Sequence, residues 1–313
     1  MAIASQLPTE HEITIVGKNL PGDDMDPEYT SQWAGAIWLG DHDSGLRERQ
    51  MQLDGLSALW SIAGSHPESS ARRITMREVM DYGSVEDVWY RDYVPGFRLM
   101  SRSELPKGAK FGMEWQTVVI TPTTFLPFLR ERLEARGVVF KRMIVRSLAD
   151  LKGLAHHILV NASGGGSTEL QDVLDSKIVP MKQQNIRIRQ SGYDRLADGT
   201  IYIGGIKTPG FGDFAVNEDH RKIIIQRAHT NQPDVFPSPN IEDYDFICDH
   251  VGVFYNIAKK DGGVRVEKQI VGGQKVVHAY GMEAGGYVFS FGLAREAAKL
   301  VSEFNFEPIK LKL

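Results

Sequence analysis

Lys275-Val-Val-His-Ala-Tyr-Gly-Met-Glu-Ala-Gly-Gly-Tyr-Val-Phe-Ser-Phe-Gly-Leu-Ala-Arg-Glu-Ala-Ala-Lys-Leu-Val-Ser302 decides how this chain is read. Its apolar start, Lys275 to Ala279, predicts a short strand; Gly281 predicts a tight turn and Gly285-Gly286 a second one. The helix that follows should place Phe289, Leu293, Ala297 and Leu300 on roughly one face. A strand that runs through glycines into a helix N-terminus leaves backbone N–H groups uncovered, and an anionic ligand can approach the main chain there. An ordinary strand–turn–helix shares this pattern, so the stretch gains meaning only from others like it.

Three further segments follow the same logic. Glu12-Ile-Thr-Ile-Val-Gly17 is a compact apolar strand ending at a glycine, followed by Lys18-Asn19 and a polar turn. Ser31-Gln-Trp-Ala-Gly-Ala36 is a run of mostly small residues, against which a planar ring or a pyrophosphate can lie. Ile158-Leu-Val-Asn-Ala-Ser-Gly164 is an apolar strand running into glycines. Between them, Thr121 to Gly137 reads as a helix, with Pro in its first turn and Gly at its end. Phe111 to Ile120 and Val138 to Val145 read as its flanking strands.

Taken in order, these segments resemble the D-amino-acid oxidase family. Ser31, Ala34, Gly35 and Ala36 match its Ser-x-x-Ala-Gly-Ala run, and Val160, Asn161, Ser163 and Gly164 match its Val-Asn-x-[Ser/Thr]-Gly turn. Ile201-Tyr-Ile-Gly-Gly205 and Arg265-Val-Glu267 match two further family strands, and residues 278–300 match its C-terminal segment. The likeness spans nearly all of residues 12–302. It implies an α/β fold: a Rossmann-like FAD-binding domain, incomplete at its N-terminus, interleaved with an antiparallel-sheet substrate domain. The implied division gives 1–75, 118–180 and 246–313 to the cofactor side, and 76–117 and 181–245 to the substrate side.

The resemblance also implies roles. Lys18 and Asn19 stand where the adenosine ribose is contacted, and Val145 where a backbone group touches the adenine. Ser31, Ala34 and Gly35 lie beside the FAD, Ser163 and Gly164 under the pyrophosphate, and Gly285, Gly286 and Tyr287 along the flavin. Tyr193 falls where a tyrosine hydroxyl meets the substrate carboxylate, which makes it the candidate catalytic residue. Lys182-Gln-Gln184 keeps the basic residue and glutamine of a family Arg-Gly-Gln.

Two departures stand out. The first eleven residues hold no glycine, so the Gly-x-Gly-x-x-Gly that grips a dinucleotide pyrophosphate is missing ahead of Glu12. The run Gly210-Phe-Gly-Asp-Phe-Ala215 does not replace it, because Lys207-Thr-Pro209 separates it from its strand. Second, Val251-Gly-Val-Phe-Tyr-Asn256 has Phe254 where the family carries the arginine that pairs with the substrate carboxylate, and Tyr255 in place of a proline. A phenyl ring has no donor, and a desolvated carboxylate without a partner costs several kcal/mol.

Two functions are therefore open at the level of sequence. One is a FAD-dependent oxidoreductase that oxidises an amine or modified amino acid by hydride transfer to flavin, with O2 as acceptor. The other is a degenerate member of the family, a binding scaffold or cofactor-free enzyme on the same fold. A start truncated from a longer gene product would account for the missing glycine motif.

Composition bounds the partners. With 42% apolar and 24% charged residues, 313 residues suffice for two domains or one large α/β body. A net charge of −4 gives no reason to propose nucleic acid or a membrane surface. The expected partners are a small-molecule substrate and, as an assembly, a homodimer. No apolar run approaches a membrane span of roughly 20 residues, and Met1 to Pro8 lacks the basic start of a secretory signal. The lone Cys248 excludes an internal disulfide, fits a reducing compartment, and in Phe246-Ile-Cys248 is expected to be buried and inert. The final Leu-Lys-Leu differs by one residue from a Ser-Lys-Leu address, so a cytoplasmic or peroxisomal location is expected. His156 and His157 are adjacent, would point to opposite faces of a strand, and imply no metal.

Overall fold

Apolar runs bounded by glycine, proline and polar turns set the elements. The structure, a computed structural model, describes residues 1–189 and 200–306. In chain order these form α1 (Ala2–Gln6), β1 (Thr14–Gly17), α2 (Leu46–Ser65), β2 (Arg72–Met80), β3 (Arg98–Leu99), β4 (Phe111–Val119), α3 (Pro122–Glu134) and β5 (Val139–Arg142). There follow β6 (Ile158–Asn161), β7 (Ile178–Arg189), β8 (Thr200–Pro209), α4 (Glu218–Asn231), β9 (Asp245–Ile257), β10 (Arg265–Val271), β11 (Gln274–Tyr280) and α5 (Ser290–Phe306).

Four sheets result. β1 and β5 pair in parallel, and β6 pairs in parallel with β11, which also pairs antiparallel with β10. No strand among the described residues joins β1 to β6, so the parallel part of the fold is two separate sheets. The other two are antiparallel, β2-β4-β3 and β8-β7-β9.

β11 shows why its sequence is so apolar. Val276 to Tyr280 are all buried, as in a strand covered on both faces. α5 begins one residue later than its periodicity suggests. Phe289 precedes it and donates its N–H to the Gly285 carbonyl, and the buried face runs through Phe291, Leu293, Ala294, Ala297, Ala298, Val301 and Phe304. Leu300 is only half-buried.

α5 lies against α2 at backbone distance. A Cβ on Gly292 would fall 2.1 Å from the Met51 carbonyl oxygen, and one on Gly55 would fall 2.0 Å from that of Val288. The same core takes in the aromatic stretch 87–97: Trp38 meets Tyr90 and Trp115 edge-on, with ring centroids 5.9 and 5.8 Å apart. A second core sits between the β8-β7-β9 sheet and α4, where Ile186, Ile188 and Ile203 pack on Ile224 and Ile225.

Three expectations meet the structure differently. His156 and His157 lie ahead of β6 rather than on it. Cys248 is half-buried, because its strand leaves one face open. Tyr193 and the terminal Leu-Lys-Leu lie outside the described residues. Among the described residues no helix is long and apolar enough to cross a membrane.

Candidate active site

Turns from distant parts of the chain converge on β9. The 3-10 turn Thr30–Trp33 is tied to it by the Thr30 hydroxyl, which donates to the Val253 carbonyl at 2.9 Å. Met282 bridges to Asn256 at the strand's far end. The Tyr287 hydroxyl donates to the Ser31 carbonyl at 2.8 Å and so closes the C-terminal turn onto the first one. Burial and the neighbouring Tyr29 push the Tyr287 phenol well above its ordinary range.

The third turn, Gly164–Thr168, is held from beneath by a buried polar relay. Asn161 accepts the Ser163 N–H at 3.1 Å and donates to Ser167 Oγ at 3.2 Å and to His278 Nδ1 at 3.1 Å. Nε2–H of His278 then donates to Gln269 at 2.9 Å, which fixes the neutral ring. Burial, aided by Arg265, lowers the His278 pKa to about 4.

Lys18, at the end of β1, is exposed and pairs with Glu28. Asn19 donates to Asp26 at 2.8 Å. Tyr255 reaches the same corner: its ring packs on Gly165, where a Cβ would lie 2.4 Å away. Burial first, then the carboxylates of Glu169 and Glu28, raise its phenol pKa.

Whether these turns suit a flavin dinucleotide can be tested at their glycines. An added Cβ on Gly35, Gly164 or Gly286 would meet no atom within 4 Å. Bare main chain therefore borders open space in each of the three turns, as a flat ring and a pyrophosphate require. Gly164 also has a φ of +58°, which a side chain would strain. The residues present fit FAD.

Opposite these turns stands one face of the β8-β7-β9 sheet. Register puts Met181, Gln183, Asn185 and Arg187 beside Phe254, Gly252, His250 and Cys248 on that face. On β8 the same face carries Lys207 and Tyr202. Trp33 covers it, with its ring 5.0 Å from that of His250. His250 Nε2–H donates to the Trp33 carbonyl at 3.0 Å, and burial together with Arg187 lowers its pKa. Lys207 Nζ stands 5.5 Å above the Phe254 ring and 3.2 Å from Glu283 Oε1.

The structure thus brings Ser31, Gly35, Gly286 and Tyr287 together, with Lys18 and Asn19 at the β1 end and Ser163 and Gly164 on their own turn. Ala34 packs into the main core, and the Val145 side chain joins Leu148 and Leu159. Gly285 is glycine because a Cβ would strike the Phe289 ring at 2.6 Å. Lys182 and Gln184 point to the opposite side: Lys182 pairs with Asp213, and Gln184 binds Asn217 and Asp249. Sequence reading passed over Trp33, His250, Tyr202, Lys207 and Glu283. Period-two alternation along β7 and β9 was the available signal for the face, though not for its partners.

The comparisons with known proteins agree with this geometry. The family model described as FAD dependent oxidoreductase matches residues 2–300. A D-amino-acid oxidase of Fusarium vanettenii is 28% identical, over 94% of this chain and 90% of its own length. A D-aspartate oxidase of Talaromyces thermophilus is 26% identical, over 92% and 86%. Among solved structures, glycine oxidase from Geobacillus kaustophilus superposes with a TM-score of 0.75 at 16% identity, over 96% of this chain and 91% of that one. The chain belongs to the FAD dependent oxidoreductase family. It is a FAD-dependent enzyme of the D-amino-acid oxidase type, and the degenerate, cofactor-free reading is not favoured.

Proposed function

We propose that the chain oxidises the amine-bearing carbon of a D-amino acid or a modified amino acid, with dioxygen as final acceptor. The observation that carries this reading is the meeting of the open sheet face, with His250, Gly252 and Phe254, and the glycine turns around Gly35 and Gly286. The D-amino-acid and D-aspartate oxidases among its relatives support the substrate class.

Bound FAD supplies a two-electron acceptor, so that substrate C–H and N–H become an imine and dioxygen leaves as peroxide. The chain's own residues do the rest. Lys18 and Asn19 would hold the adenosine end, and the backbone after β5 near Val145 would hold the adenine. Ser163 and Gly164 would hold the pyrophosphate, and Ser31, Gly35, Gly285, Gly286 and Tyr287 would hold the ring, with Ala34 packed behind them in the core. Trp33 and Phe254 keep water from the reacting carbon. His250, with Nε2–H committed to Trp33, holds Nδ1 as an acceptor on the same face. Tyr193 remains the candidate for the substrate end.

In this reading 1–75, 118–180 and 246–313 form the cofactor side and 181–245 the substrate side. Residues 76–117 go with the substrate side in this division, and they pack on the cofactor side through the core they share with α2 and α5. The substrate is a small molecule, the location cytoplasmic or peroxisomal, and the assembly a homodimer; fractionation and sedimentation check the last two.

The purified protein should be yellow and release peroxide with a D-amino acid. A colourless protein whose melting temperature ignores added FAD overturns the proposal. Gly286→Ala sharpens the test: the fold has open space for the added Cβ, so the melting temperature should hold while bound flavin falls several-fold.

A further inference from the structure

We infer that Lys207 anchors the substrate carboxylate from β8, and that Glu283 holds that place until substrate arrives. This rests on the oxidase reading above and names its substrate class more narrowly.

Phe254 lies on the face of β9 turned to the site, and its ring offers no donor to a carboxylate. Two cations stand on the open sheet face among the described residues, Arg187 and Lys207. Arg187 pairs with Cys248, six positions along β9 from Phe254, which is about 20 Å of strand. It binds Thr200 at 3.1 Å and stacks on Tyr202. Lys207 is opposite Gln183, next but one to Met181, the partner of Phe254. Its side chain crosses the central strand to place Nζ over the Phe254 ring. Lys182, also nearby in sequence, is on the far face with Asp213.

The partner of Lys207 tells what the site accepts. Glu283 belongs to the turn that carries Gly285, Gly286 and Tyr287, and it takes a φ of +51°, an unusual cost for a non-glycine residue. Its carboxylate lies on Lys207 as a ligand's would. Both side chains are nearly half exposed, so this pair is weak and exchangeable. A substrate carboxylate can replace that of Glu283 with no change of charge at Lys207. The buried Phe254 ring beneath stabilises the ammonium through its π face. The fitted substrate carries one carboxylate, in place of the one that Glu283 gives to Lys207.

The test uses benzoate and its uncharged isostere benzamide, titrated calorimetrically into the FAD-loaded protein. Wild type should bind benzoate at least about tenfold tighter than benzamide. Lys207→Met should abolish the preference with flavin content unchanged; Lys207→Arg should keep it. Glu283→Gln should tighten benzoate several-fold, and Phe254→Arg in the Lys207→Met background should restore its binding. Unaltered benzoate binding in Lys207→Met, or no preference in wild type, overturns the inference. D-phenylalanine separates the two levels. Peroxide from wild type with an unchanged KM in Lys207→Met removes the anchor and leaves the oxidase. Benzoate bound through Lys207 with no peroxide from any D-amino acid does the reverse.

Discussion

β11 lies between β6 and β10 with every residue from Val276 to Tyr280 buried, whereas β1 has β5 alone beside it and no fully buried position. Each sheet contains one parallel pair, β6 with β11 and β1 with β5, and both end in candidate cofactor turns, yet they are held by different forces. The β6-β11-β10 sheet is covered by α5 and cross-linked inside by Asn161, His278 and Gln269. The β1-β5 ribbon rests on a small cluster, Ala4, Leu133 and Val138, and on surface ion pairs such as Arg142 with Asp23 at 2.6 Å. The turns proposed for the flavin are thus mounted on the core, and the end proposed for the adenosine on the rim.

The largest expected contrast is in packing. Gly292→Val drives a side chain into the Met51 carbonyl and should cost about 3 kcal/mol or more in a denaturant titration. Val139→Ala, at an exposed position of β5, should stay within about 0.5 kcal/mol. Equal shifts would mean that the two sheets are not held differently.

Acid should separate them next. His278 has a folded pKa of about 4 against an ordinary 6.5, so the neutral ring is favoured in the fold. Its contribution is complete above pH 6.5 and is lost as pH falls towards 4, by up to about 3 kcal/mol. Asp23 is held at about 2, first by Arg142 and then by the Leu20 N–H, against an ordinary 3.8. Its contribution persists above pH 3.8 and fades only towards pH 2. Melting temperatures should therefore fall between pH 6.5 and 4, and His278→Asn should flatten that slope. Hydrogen exchange should show β11 responding first.

The smallest effect is at the ribbon's surface. Arg142→Ala should lower the denaturation midpoint least of the three, and less still in high salt, because the pair is solvated. A loss that salt does not diminish would place Arg142 in the structural core of the comparison rather than on its rim.

Much of this was legible in the residues. The 275–302 stretch announced β11, the Gly281 turn, with its φ of +91°, and α5, because burial and glycine geometry act over a few neighbouring positions. The turns at Ser31 to Ala36 and Ser163-Gly164 were marked by small residues for the same reason. Long-range partners were not legible. Lys207 reaches Phe254 only because β8 shifts register at Gln184/Asn185 and β7 lies between them. Tyr255 meets Gly165 across ninety positions of chain, and Trp33 meets His250 across more than two hundred. Such contacts are fixed by sheet order, which no local pattern encodes. Lys182 and Gln184 fell on the wrong side for a related reason: alternate positions on β7 face opposite ways, and Gln183 is the one turned to the site.

The chain's single thiol has a practical consequence. Cys248 is half-buried and follows His250, Gly252 and Phe254 along the same face of β9. A maleimide dye would attach at one defined point on β9, about 20 Å of strand from Phe254, with no engineered cysteine. Quenching of that dye by the flavin would then read the separation of sheet and cofactor in single molecules, turnover by turnover.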